Sequence, residues 1–183
     1  MPKARFPLFI PDRIAVHHSA SGRATSFAQV VRWHTDPKPK TKGGHGGHGW
    51  PAVGYNHMIG AKGGSQVGRI VPQRGCAVAL RNSGTLSVLL MGHNSAEIPR
   101  GRALWKVEHE RRRWAQVQVD ALQRYLDACF VIWPHLEHQV GGHRDFTAPN
   151  RPSECPGLDI GELRGYRWNL ELYWRRALER AKG

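Results

Sequence analysis

The run LSVLLMG, Leu86 to Gly92, is almost wholly apolar and rich in strand-forming residues, with no polar alternation. A strand of that kind has to be covered on both faces, so it belongs in the middle of a sheet with other elements packed above and below it. The flanking sequence offers those elements. RIAVHHSA (Arg13 to Ala20) reads as a short strand ending in two histidines. Behind it, SFAQVVRWHT spaces Phe27, Val30, Val31 and His34 as one helix face, with Ser26 as the N-cap. AVGYNHMIG and SQVGRIVP read as two strands joined at AKGG, a hairpin.

From Trp114 to about Trp133, the residues Val117, Ala121, Leu122, Tyr125, Ala128 and Cys129 mark an amphipathic helix, with Cys129 on its core side. EIPRGRALWKVEHERRR, just before it, reads as an exposed excursion. The last segment opens with Asp159 and Glu162 in capping-box spacing and closes the chain as a basic helix over about 160–182. Strands interleaved with helices and no internal repeat predict an α/β fold. It is a single domain over 1–183, with a central mixed β-sheet flanked by helices.

Charge narrows the partners. Lys and Arg number 27 against 14 Asp and Glu, a formal net charge of +13 that favours an anionic partner: nucleic acid, a membrane surface or an acidic wall polymer. The opening MPKARFPLFIPDR has neither the apolar core of a signal peptide nor the length of a membrane span. Three cysteines, Cys76, Cys129 and Cys155, make an odd count, which argues for a reducing compartment rather than a disulfide framework.

The most metal-like stretch by composition is KGGHGGHGWP, Lys42 to Pro51, with His45 and His48 among glycines. So much glycine must lose a great deal of backbone entropy to hold fixed ligand geometry. Whether the tract is a metal site, a flexible rim beside one or a low-complexity stretch depends on the rest of the chain. Better placed donors are His17 at a strand end, His143 after two glycines, and Cys155 before a proline at a helix entrance, where the dipole favours a thiolate. Each alone also fits a plain structural role, and their spacing forms no zinc-finger pattern.

Read in order, IAVHHSAS, VVRWHT, GWPAVGYNHMIG, LSVLLMGHN, GGHRDF and SECPGLDI resemble the landmarks of the zinc-dependent N-acetylmuramoyl-L-alanine amidases. That family joins amidase-type phage endolysins to the peptidoglycan recognition proteins, and the resemblance spans about 13–160. It implies one catalytic Zn2+ held by His17, His143 and Cys155, with water in the fourth place; that set is complete without His45 and His48, which leaves the glycine–histidine tract as a mobile rim of the substrate groove. It implies a catalytic role for Tyr55, whose hydroxyl serves the scissile carbonyl or the developing oxyanion. Ser153 stands where phage relatives carry an assisting lysine and active recognition proteins a threonine, which implies a supporting role without positive charge.

His34 and Trp50 match groove-lining, substrate-binding positions, with Trp50 equally readable as a half-buried aromatic anchor of the long loop, and Asn82 falls on the substrate side of a loop that departs from the phage pattern or serves there as a turn residue. His18 faces away from His17 in a regular strand, and Asp145 holds an arginine or caps a turn.

The implied activity is hydrolysis of the amide between N-acetylmuramic acid and the L-alanine of the stem peptide. The missing signal peptide fits an endolysin made in the host cytoplasm and acting on the cell wall after release, as a monomer. The basic C-terminal helix, with its Trp and Tyr, reads first as a helix packed on the domain with a solvated basic face, and alternatively as a contact with an anionic envelope. Two other readings exist: a non-catalytic module that binds peptidoglycan, whose members typically lose the cysteine ligand, and a basic nucleic-acid-binding protein.

Overall fold

The computed structural model describes residues 10–39, 46–71, 73–92, 116–147, 153 and 155–156. The predicted excursion before the long helix, the C-terminal helix with its capping box, and His45 lie outside the described residues.

Among the described residues, five strands form one sheet. β1 is Arg13–His18, β2 His57–Ile59, β3 Ser65–Val67, β4 Thr85–Leu90 and β5 Val140–Gly142, and their spatial order is β3-β2-β4-β1-β5. β4 pairs in parallel with β1 and β2, β5 pairs in parallel with β1, and only β3 runs antiparallel, against β2. The apolar run is thus the central strand, and every residue of β4 is buried. The hairpin forms as expected, with Met58 opposite Gln66, but its strands are short.

Alternation along the strands divides the core into two layers. On one face Ile14, Val16, Ile59, Leu86, Val88 and Leu90 meet Ala121, Leu122, Leu126, Cys129 and Phe130 of α2, Gln116–Ile132. Gln118 of that helix is buried but satisfied: its Nε2 donates to the carbonyls of Ile59 at 3.1 Å and Met91 at 3.0 Å, tying α2 to the ends of β2 and β4. On the other face Met58, Leu89 and Met91 pack with Val30 and Val53, the first of these on α1, Phe27–Thr35. α1 starts as the sequence predicts, with the Ser26 hydroxyl accepting the Gln29 amide at 3.2 Å.

His17 belongs to the α1 face by this alternation. It sits beside Leu89 in register, at the C-terminal end of the parallel strands, where open α/β sheets place their sites. A short helical turn, α3 (His143–Phe146), follows β5 directly, so the edge strand delivers His143 to the same end of the sheet.

Candidate metal centre

His17, His143 and Cys155 come together. One donor atom from each lies within 4.8 Å of the other two. The Cys155 sulfur is 4.0 Å from His17 Nδ1, and the two imidazole centroids are 4.6 Å apart. Three separate pieces of backbone converge here, and the glycines before His143 are what let them. A Cβ at Gly142 would stand 2.5 Å from Pro156 Cδ and 3.3 Å from the Cys155 carbonyl, so only glycine lets the cysteine segment cross β5 so closely. Two bonds then fix that segment: the Arg144 amide donates to the Cys155 carbonyl at 2.9 Å, and the His18 amide donates to the Cys155 sulfur at 3.2 Å.

The donor set fits a metal. His17 is 2% exposed, and its Nε2 is one of two buried side-chain polar atoms, with Ser87 Oγ, that have no hydrogen-bond partner among the described residues. Burial, then the neighbouring His143 and His18, hold the His17 pKa well below its ordinary value, and burial lowers that of His143. Both imidazoles are therefore neutral, as ligation demands. Burial also pushes the Cys155 thiol up to about 12, offset in part by the His18 amide and the Arg144 charge. A sulfur in such a place becomes a thiolate only when a cation joins it. Two imidazoles and one cysteine sulfur are a donor set that zinc favours, and these three residues would hold such an ion.

Tyr55 borders the group, its ring 5.3 Å from that of His17 at 63°. Burial, and then the Cys155 sulfur, raise its pKa far above the usual phenol range, so it keeps its proton and remains a donor. Ser153 lies on the cysteine side, where its Oγ accepts the Cys155 amide at 3.2 Å. That bond uses a lone pair of the hydroxyl and shapes the turn carrying the sulfur. Asp145 does what its position suggests: Oδ2 accepts the Gly142 amide at 2.7 Å, and Oδ1 lies 3.8 Å from Arg144 Nε.

Beyond Tyr55 runs an aromatic wall. His34 lies 5.4 Å from Tyr55 and 5.0 Å from Trp50, and Trp50 stacks on His48 at 4.6 Å and 18°. Asn82 is not in this wall. Its Oδ1 accepts the Val78 amide at 2.8 Å and its carbonyl the Thr85 amide at 3.3 Å, the bonding of a turn residue.

The glycine–histidine tract differs from its prediction over the residues described. Gly47, His48, Gly49 and Trp50 donate their amides to the carbonyls of Pro37, Trp33, Asp36 and His34 at 3.1, 3.0, 2.8 and 2.8 Å. The carbonyls of Trp33 and His34 belong to the last turn of α1, which leaves them without helical partners, and those of Asp36 and Pro37 follow directly after it. A Cβ at Gly47 would stand 2.5 Å from the Asp36 carbonyl and 2.6 Å from that of Arg32, and Gly49 has φ +67°. Glycine serves close approach and a left-handed turn here, not mobility. Composition alone cannot separate these uses.

Two further residues were not singled out in the sequence. The Arg69 side chain donates to the carbonyls of Val53, Ala52 and Arg74, at 2.6, 3.2 and 3.2 Å. Buried Asn56 accepts the Ser87 amide at 2.9 Å and donates to the carbonyls of Arg69 and Gln73 at 3.3 and 3.1 Å. Together they fix the backbone on either side of Tyr55. Asn56 carried a signal, since it follows the tyrosine directly in VGYN; Arg69 carried none that sets it apart from the other basic residues.

This sheet and its packed helices constitute the fold shared by amidase-type endolysins and peptidoglycan recognition proteins. Solved structures similar to it include the Ph2119 endolysin from Thermus scotoductus MAT2119 bacteriophage Ph2119, at 21% identity over 84% of this chain and 82% of that one, TM-score 0.62. Another is the endolysin N-acetylmuramoyl-L-alanine amidase LysCS from Clostridium intestinale URNW, at 20% identity over 86% and 84%, TM-score 0.60. A third is the complex of tracheal cytotoxin with the ectodomains of peptidoglycan recognition proteins LCa and LCx, at 22% identity over 84% and 79%, TM-score 0.59. No protein-family model matches the sequence, and no curated protein does.

Proposed function

We propose that this protein is a zinc-dependent peptidoglycan hydrolase that cleaves the amide between N-acetylmuramic acid and the L-alanine of the stem peptide. The observation that carries the proposal is the meeting of His17, His143 and Cys155 beside a protonated Tyr55, at the C-terminal end of the parallel strands of this fold. A zinc ion held by those three residues supplies Lewis acidity toward the amide carbonyl and acidifies water for the attack.

The chain's own groups do the rest. Neutral imidazoles at positions 17 and 143 and a Cys155 thiolate would give a bound zinc three donors and offset one of its two positive charges. Tyr55 presents an O–H in a partly buried setting, where a donor aimed at the developing oxyanion is worth far more than in water. Ser153 supports the cysteine turn, and the stacked pair of His48 and Trp50 borders the path along which a stem peptide or sugar lies.

In this proposal the chain acts as a single-domain, monomeric endolysin of phage or prophage origin, with peptidoglycan as its macromolecular partner. Its excess of basic residues aids approach to an anionic envelope. Among the described residues no helix is long and apolar enough to cross a membrane.

Product chemistry tests the reading. Purified sacculi incubated with the zinc-loaded protein should gain free N-terminal alanine amines and no reducing sugar ends. New reducing ends would mean a glycosidase, and binding without either product would mean a recognition module.

A further inference from the structure

Tyr55 lies two residues before β2, which begins at His57; its carbonyl accepts the Arg69 amide at 2.8 Å, which fixes the C-terminal side of the residue and leaves its N-terminal side to other contacts. The segment leading to it, Trp50 to Gly54, is held at both ends by one residue. The main-chain carbonyl of His34 accepts the Trp50 amide at 2.8 Å, and its side-chain Nδ1 accepts the Gly54 amide at 3.1 Å. Gly54 is itself hemmed in, for a Cβ there would stand 3.0 Å from Trp50 Cζ3 and 3.5 Å from the Cys76 carbonyl. The His34 ring then fills the space between Trp50 and Tyr55.

We propose that His34 is a positioning residue for Tyr55, acting through its two bonds to the Trp50–Gly54 segment rather than through the substrate. The proposal rests on the amidase reading for its kinetic consequence and on geometry for the clamp itself. An acceptor at Nδ1 places the ring proton on Nε2, so the nitrogen used is the one turned to the backbone. The two nitrogens can be separated by substitution, because an asparagine amide oxygen falls near Nδ1 of the imidazole and a glutamine amide nearer Nε2.

The test compares His34→Asn, His34→Gln and His34→Ala in the full-length, zinc-loaded protein, using a soluble N-acetylmuramyl peptide as substrate. Hydrogen exchange of the Gly54 amide and bound zinc are measured alongside kcat and KM. The Gln and Ala variants should lose protection at Gly54 and about 10²-fold in kcat, the scale of a catalytic group displaced by an ångström, with KM and zinc unchanged. His34→Asn should keep the protection and restore kcat at least about tenfold over His34→Gln.

A loss confined to KM, or an Asn variant no better than Gln, overturns the positioning role. So does unaltered Gly54 exchange in His34→Ala. A wild type inactive on this substrate but with the expected exchange pattern sinks the amidase reading and leaves the clamp supported.

Discussion

At Tyr55 the roles of proton donor and structural aromatic are separable by one oxygen atom. Tyr55→Phe keeps the ring against His17 and removes the O–H, so kcat should fall by about 10²–10³-fold while bound zinc stays at the wild-type level. Titration of metal content and turnover on the same preparation checks both. Histidines away from the metal centre make a second expectation. Burial lowers the pKa of His57, which stacks on Tyr125 at 4.2 Å, and burial with His48 and Arg69 lowers that of His34 to about 4 from 6.5.

A histidine whose folded pKa lies below its unfolded one takes up a proton on unfolding. Its stabilising contribution is complete above about pH 6.5 and declines as the pH falls toward the folded value. The melting temperature should therefore drop on acidification from pH 7 to pH 5, and His57→Phe should flatten that slope. An unchanged slope in the variant would remove His57 from the explanation.

The ends of α1 show what an element owes to local sequence and what it does not. Its start was legible, because Ser26 caps through bonds to its own neighbours. Its other end was not, because carbonyls there are met by the amides of residues 47–50, and Gly47 is needed for room. The same composition describes a loose chain and a tightly docked one, and only tertiary contact distinguishes them. Gly47→Ala should thus destabilise the protein by about 1–3 kcal/mol, the usual range for overpacking. Gly22→Ala, with nothing within 4 Å of the added carbon, should stay within about 0.5 kcal/mol of wild type. Urea denaturation of the two variants measures the difference, and equal effects would mean that the 46–50 segment is free to give way.

Across the whole molecule, the central strand was the most readable part: an unbroken apolar run has nowhere to go but between two layers. The strand order was not readable. β1 and β4 pair in parallel although most of the first half of the chain separates them, and no local pattern records such a pairing. The metal centre has the same character. His17 and Cys155 lie 138 residues apart in sequence, so spacing could not join them; an ordered set of landmarks resembling a known family could, and the fold then brought the donors together.

Asn82 stands where the chain departs from the family's pattern, and there its amide oxygen accepts the Val78 amide as a turn residue's does. The two-layer core that holds the sheet end in place should be correspondingly sensitive: Leu122→Ala, fully buried on α2, should cost about 2–5 kcal/mol in denaturant unfolding.

The central claim is that His17, His143 and Cys155 form one metal site. Metal analysis of the purified chain, after dialysis against zinc and gel filtration, tests it directly. One zinc per chain in the wild type and little or none in Cys155→Ala, with both proteins folded by circular dichroism, is the predicted result. A wild type that retains no zinc, or a Cys155→Ala variant that retains it fully, would contradict the claim.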